Sequence, residues 1–387
     1  MSATSAALVV PRGLPWTLIG TFINAACQWL AIVTVARLGT PETLGHYSYA
    51  LAVCAPLVML ARLNMRTVLA TDIKARYRFD DYFVARLVLV AIATVLVLGY
   101  AFAADPGAVA ITVLAGTLAY KNAESIADVV HGLLQRDEKF AVMGKSTVLR
   151  GLSLLACLAF GLAVCHNLAV GLGLVTIAWV AIFLAYDCTN ARKGATTWFR
   201  SDAGTVIRLA RECLPSGLVM MVSSLSVNLP VYVVASVLGA EQVGYYATVA
   251  YLLTVGGLSA AAVSQASAAH MARLYFSDRR AYWRQLTTFM AGSIALSSVA
   301  VGGVLLFGRQ VLVLLYGEEY GHLDGALLWI AVAAGLTFAG SFLGLTLTIA
   351  RRFYHDLASS VISAAAVGGV LLFGRQVLVL LYGEEYG

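Results

Sequence analysis

Long apolar runs separated by short polar connections fill the chain from Leu14 to Tyr382. A hydrocarbon layer about 30 Å thick needs about 20 apolar residues per helical crossing. The runs have that length, and they predict crossings at 14–36, 44–66, 82–104, 107–134, 146–165, 168–187, 213–238, 243–271, 286–307 and 324–350, with an eleventh starting near Leu357. They are continuous, without the short alternating segments of a membrane barrel. The expected fold class is all-α, a polytopic transmembrane helical bundle.

The connections alternate between rich and poor in cations. Arg62, Arg66, Lys74, Arg76 and Arg78 are followed by Asp105 alone, then Arg136, Lys139, Lys145 and Arg150, then His166 and Asn167. The alternation continues through Arg192 to Arg211, Glu241, Arg273 to Arg284, the YGEEYGHLD segment, and Arg351 with Arg352; Arg37, Arg309 and Arg375 are the exceptions. Cytoplasmic loops of membrane proteins carry the excess of Lys and Arg. This rule puts the N-terminus and every rich connection in the cytoplasm.

A repeat shows in the same polar punctuation. LGTPETLGHY at 38–47 follows the first crossing and LGAEQVGYY at 238–246 follows the seventh, at an offset of about 199 residues. Two parallel repeats related by an axis along the membrane normal are expected, with a substrate cleft between them. The predicted organisation is a first lobe of six crossings at 1–188, a cytoplasmic linker at 189–212 and a second lobe of five crossings at 213–387.

Composition narrows the function classes. At 60% hydrophobic and 12% charged residues the chain is too apolar for a soluble core. The net charge of +6 follows from topology rather than from nucleic-acid binding. Cys27, Cys54, Cys157, Cys165, Cys188 and Cys213 lie in or at the ends of apolar runs without metal-ligand spacing, and read as packing residues. The N-terminal segment lacks the charged start and cleavage site of a signal peptide. No Walker A loop, HExxH or GxSxG is present, so neither an enzyme nor a resident cofactor or metal is expected.

The chemistry concentrates in the fourth crossing, GTLAYKNAESIADVVHGLLQRDEKF. Lys121, Glu124, Asp128, His131 and Gln135 recur every three or four residues and share one helix face. Such a stripe cannot face lipid, because a charge at mid-bilayer costs about 2.5–3.5 kcal/mol on the mildest scale. Lys121 lies about 21 Å along its helix at 1.5 Å per residue. Arg62, Arg66, Arg86 and Arg150 cluster at a similar depth, and with Lys121 they are expected to form a basic vestibule attractive to phosphate. Each arginine alone also fits a snorkelling anchor at the interface. Asn24 and Gln28 on the first crossing and Asn228 on the seventh are further candidates for lining the cleft, and Asn228 with Pro230 predicts a hinge. Glu124 or Asp128 is the candidate for coupling to a proton.

The segments at 121–151, 214–234 and 238–251, together with LLYGEEYG, resemble bacterial polysaccharide biosynthesis flippases, including O-antigen flippases. These belong to the multidrug, oligosaccharidyl-lipid and polysaccharide (MOP) exporter superfamily. The resemblance covers most of the chain from Leu14 to about Ser363. It implies two six-helix lobes in the bacterial inner membrane working by alternating access. The implied substrate is an oligosaccharide repeat unit on undecaprenyl diphosphate, moved from the cytoplasmic to the periplasmic leaflet. Membrane lipid and other polysaccharide-assembly membrane proteins are the implied partners. A cation-coupled multidrug extruder of the same superfamily is the rival, disfavoured by the basic vestibule. A membrane glycosyltransferase or O-antigen polymerase is a further alternative, disfavoured by short outer loops.

One feature departs from the family pattern. Residues 366–387 repeat 300–321 letter for letter, whereas the two lobes share only a few letters. The copy reads as a recent duplication or a sequence join, and it leaves the second lobe one crossing short of the expected twelve.

Overall fold

The computed structural model describes residues 14–72, 76–104, 107–191, 198–252, 277–323 and isolated positions between 271 and 331. The segment 1–13, the eighth predicted crossing beyond residue 252, almost all of the tenth, and the eleventh with the tail at 366–387 lie outside the described residues.

Among the described residues every regular element is helical. In order these are α1 (Leu14–Leu38), α2 (Pro41–Arg62), α3 (Met65–Thr71), α4 (Phe79–Ala104), α5 (Ala108–Arg136), α6 (Phe140–Ala163) and α7 (Leu168–Ile182). A π-helical turn, Phe183–Asp187, joins α7 to the short α8 (Cys188–Ala191). Then come α9 (Ala203–Leu238), α10 (240–252), α11 (Arg279–Tyr316) and a 3-10 turn, Glu318–Leu323. Among the described residues seven helical stretches are long and apolar enough to cross a membrane, so this is a multi-pass membrane protein. The stretch α5 is as long but is not one of them.

Local chemistry sets the helix ends. The Asn167 side chain accepts hydrogen bonds from the amides of Ala169 and Val170, and that of Asp278 accepts from Arg280 and Ala281. Both satisfy amides that a helix start leaves open. One predicted crossing is revised: the run 44–66 does not continue as a single helix. Leu63 and Asn64 take positive φ, at 46° and 53°, so the chain breaks between Arg62 and Met65 before restarting as α3. Gly217 of α9 accommodates the break, since a methyl group there would overlap the Leu63 side chain.

The structure divides into two compact units, Met1–Gly39 with His46–Asn228, and Thr40–Gly45 with Leu229–Gly387. In the first, α1 lies along α6, α6 along α7, and α5 against α3, α4 and α7. Small residues let the backbones approach, as expected where no hydrophobic force drives helices together in lipid. Gly20 faces the backbone of Gly144, and Gly161 that of Gly171. A core of Leu63, Met65, Leu69, Tyr82, Phe83, Leu133, Leu134 and Leu209 closes one end. On the outer face of α4, Val88, Ile92, Val95, Leu96 and Phe102 are exposed, as lipid-facing residues are.

In the second unit, Tyr316 of α11 donates a hydrogen bond of 3.1 Å to the Thr248 carbonyl of α10. Tyr245 meets the rings of Tyr320 and His322 edge-on, at 5.5 and 5.0 Å between centroids. The first copy of the duplicated segment is thus helical to Tyr316, turns at Gly317 with φ 113°, and packs Tyr320 inward. The two repeat signatures also meet in this unit. A methyl on Gly45 would overlap the Ala240 carbonyl, and one on Gly244 would overlap that of Pro41.

Helix α9 runs through Pro215 and Pro230 without interruption. The Asn228 side chain turns back to donate 2.8 Å to its own helix at the Ser224 carbonyl. The predicted hinge at Asn228 and Pro230 falls within this continuous helix, where the boundary between the two units lies at Asn228 and Leu229.

Candidate functional site

The polar face of α5 builds the site. Its spacing of three and four brings Glu124 to α2, Asp128 to α3 and α4, His131 to α6 and Gln135 to α3. Arg62, at the end of α2, pairs with Glu124 at 3.2 Å, and Lys121 pairs with the other oxygen of Glu124 at 2.9 Å. Past the break, Arg66 reaches Asp128 at 3.3 Å and donates to Gln135 Oε1 at 3.3 Å. The break at Leu63 and Asn64 falls between the two arginines, so each is carried by its own helix.

Behind these lies Arg86 of α4, fully buried. Its guanidinium faces the second oxygen of Asp128 at 3.5 Å and donates to Ser125 Oγ at 3.2 Å and the Ala61 carbonyl at 3.4 Å. The four cations Arg62, Arg66, Arg86 and Lys121 thus share two carboxylates, and two positive charges stay uncompensated within the group. Buried Nε of Arg62 and of Arg86 also lacks a hydrogen-bond partner among the described residues. A low-dielectric wall strengthens such a field.

A cavity of about 340 Å³ opens onto this charge. It is lined by Arg62, Asn64, Arg66, Thr67, Asp128, Gln135 and Met220. The excess of donors and positive charge suits an anion with several acceptor oxygens, and arginine presents a planar fork to such a group.

The structure separates the remaining candidates from this cavity. Lys121 stands beside it, bound to Glu124 and lying over the Tyr120 ring at 5.3 Å. Arg150 belongs to a second buried cluster, where it donates 2.5 Å to Asp187 Oδ2. Asn24 lies against Gly151 in the α1–α6 contact, Gln28 is half-buried on the same helix, and Asn228 bonds within α9. None of these five lines the cavity. Sequence reasoning missed Asn64, Thr67 and Met220 as lining residues. It saw His131 in the stripe but not its partner Asp187, whose only signal was an acid at the end of an apolar run.

Comparison with known proteins agrees with this architecture. The chain matches the polysaccharide biosynthesis protein family over residues 10–269. It is 26% identical over 358 residues to the capsular polysaccharide biosynthesis protein CapF of Staphylococcus aureus, covering 91% of this chain and 88% of that protein. Its fold is similar to that of a MATE family multidrug resistance transporter of the MOP superfamily in an inward-facing conformation, with TM-score 0.62 at 15% identity over 95% of this chain and 99% of the other. It is also similar to a variant of the Vibrio cholerae MATE transporter VcmN, with TM-score 0.59 at 12% identity over 95% and 88% of the two chains. With an all-helical multi-pass fold similar to that of MATE transporters and a family match over most of its length, the chain belongs to the polysaccharide biosynthesis protein family.

Proposed function

We propose that this protein is a flippase, not an enzyme, that carries undecaprenyl-diphosphate-linked oligosaccharide repeat units from the cytoplasmic to the periplasmic leaflet of the bacterial inner membrane by alternating access, with its N-terminus in the cytoplasm. The observation that carries the reading is the cavity lined by Arg62 and Arg66 against the single carboxylate of Asp128, with the buried Arg86 guanidinium behind it. A diphosphate is the part of a lipid-linked sugar that this charge recognises. Family membership and similarity to a capsular polysaccharide biosynthesis protein support the sugar-bearing part of the substrate.

Glu124 and Asp128 hold the two arginines in ion pairs. Phosphate oxygens compete for the same guanidinium forks. Glu124 or Asp128 is the candidate for coupling anion binding to a proton. Lys121, through Glu124, sets how firmly Arg62 is held.

A multidrug extruder of organic cations is the competing function, and the sign of the cavity argues against it. The test is binding of undecaprenyl diphosphate and of an organic cation such as ethidium to the purified protein, with Arg62→Ala and Arg66→Ala alongside. Diphosphate binding that both substitutions weaken at least about tenfold fits the loss of a charge-assisted contact. Tight ethidium binding without diphosphate binding overturns the reading.

A further inference from the structure

Glu124 and Asp128 are each held by two cations, and the two cations differ in kind. One oxygen of Asp128 faces Arg66 of α3 at 3.3 Å and the other faces Arg86 of α4 at 3.5 Å. One oxygen of Glu124 faces Arg62 of α2 at 3.2 Å and the other faces Lys121 of α5 at 2.9 Å. Arg62 and Arg66 line the cavity, whereas Arg86 and Lys121 do not. Each carboxylate therefore has one cation that an incoming anion meets and one that it does not.

The contrast is sharpest at Asp128, the one carboxylate among the lining residues. Arg86 is fully buried, and its Nη1 donates to the Ser125 hydroxyl of α5 at 3.2 Å and to the Ala61 carbonyl of α2 at 3.4 Å. Two neighbouring helices thus fix it in place. The Arg66 side chain is 35% exposed and bonds only to side chains: Asp128, Gln135 at 3.3 Å and the Met143 sulfur at 3.2 Å. One carboxylate is shared between a fixed guanidinium and a movable one.

These placements give the charges opposite effects on a bound anion. Asp128 pulls Arg66 back from the cavity, since one planar fork does not serve a carboxylate and a phosphate at full strength together. Arg86 draws on the same carboxylate from the dry side and weakens that pull, where low dielectric makes each charge count for more than in water. When Arg66 turns to an anion, Arg86 stays behind. Asp128 is then spared the costly state of a buried charge without a partner.

We propose that Asp128 is a competitor built into the anion site, which reclaims Arg66 as the anion leaves, and that Arg86 is a positioning residue that sets how readily Asp128 gives Arg66 up. Arg86 acts through Asp128 and does not hold the anion itself. A transporter must let go of what it binds, and a displaced carboxylate beside the site shortens the stay of the anion. The roles of both residues rest on the anion reading of the cavity.

Calorimetry with inorganic pyrophosphate, on the full chain in detergent, compares the parent with Asp128→Asn, Arg86→Met and the double substitution. Asp128→Asn should bind about tenfold more tightly and Arg86→Met about tenfold more weakly, the scale of one charge-assisted contact. In the double, Arg86 has nothing left to act through, so the affinity should lie within about threefold of that of Asp128→Asn; a cycle of this kind isolates the coupling between two residues. If Arg86 acted directly on the anion, or only on the fold, its loss would weaken binding equally in both backgrounds, and that result overturns the proposal. An Asp128→Asn affinity no higher than the parent's also overturns it, while leaving the anion reading in place. Where either single substitution prevents folding, the double decides, because it loses one buried charge of each sign. It should hold pyrophosphate about tenfold more tightly than the parent, and no gain overturns the proposal. A parent chain that binds no pyrophosphate ends the anion reading, and the competitor with it.

Discussion

Gly45 and Gly244 make the same contact from opposite sides. Gly45 lies on the carbonyl of Ala240 and Gly244 on that of Pro41, so that each glycine touches the counterpart of the residue that touches the other. Both pairs are separated by 199 positions, Pro41 to Ala240 and Gly45 to Gly244. Reciprocity of this kind is the signature of a two-fold relation, here between two segments of one chain. Adding a methyl at either glycine forces backbone apart rather than a flexible side chain. Gly45→Ala and Gly244→Ala should each lower stability by about 1–3 kcal/mol, read as a fall in the unfolding temperature in detergent. Gly99→Ala, where open space surrounds the glycine, should show no such fall.

The pair Arg150–Asp187 should behave as a buried ion pair whose halves depend on each other. Arg150→Met leaves the fully buried Asp187 carboxylate uncompensated and should cost about 3–5 kcal/mol. The double substitution Arg150→Met with Asp187→Leu should recover most of that loss. A double-mutant cycle on thermal unfolding measures the coupling, and additive effects would show that the two side chains do not interact.

Among the cations, the distance from the cavity should set the rank of effects. Arg62→Ala and Arg66→Ala remove lining residues and should reduce surface polysaccharide most, in a strain that lacks its own flippase. Lys121→Ala removes only the partner of Glu124, and should give an intermediate loss. Immunoblotting of the membrane fraction separates lost activity from lost protein. Normal export by both arginine variants would remove the anion site from the proposed function.

Topology offers the least ambiguous measurement. In a background free of native cysteine, a cysteine at Asp202 should react with an impermeant maleimide only from the cytoplasmic side, and one at His322 only from outside. The reverse pattern would invert the assignment of every connection, and with it the direction of transport.

The helices were legible in the sequence because crossing a membrane is a demand on length and hydropathy, which a run such as that ending at Leu38 states openly. The polar stripe of α5 was legible for the same reason, since a face holding Lys121, Glu124 and Asp128 has nowhere to go but inward. What could not be read was pairing. Arg86 and Arg150 look alike as cations near a predicted helix end, yet one faces Asp128 and the other Asp187, a choice fixed by which helices pack together. The break at Leu63 was hidden as well. Left-handed backbone is usually announced by glycine, and here the glycine that permits it, Gly217, lies on another helix.

That break has a mechanical consequence. In an unbroken helix Arg62 and Arg66 would ride on one rigid rod, one turn apart, and would always move together. Because the chain turns at Leu63 and Asn64, each guanidinium belongs to its own lever. The amide of Leu63 bonds back to Leu60, and those of Thr67 and Val68 start afresh from Asn64. A tilt of the seven-residue α3 therefore changes the gap between the two arginines without stripping a hydrogen bond from either helix. Under the proposed function, two jaws that open at a joint release the anion quickly, where two teeth on a single rod would keep it.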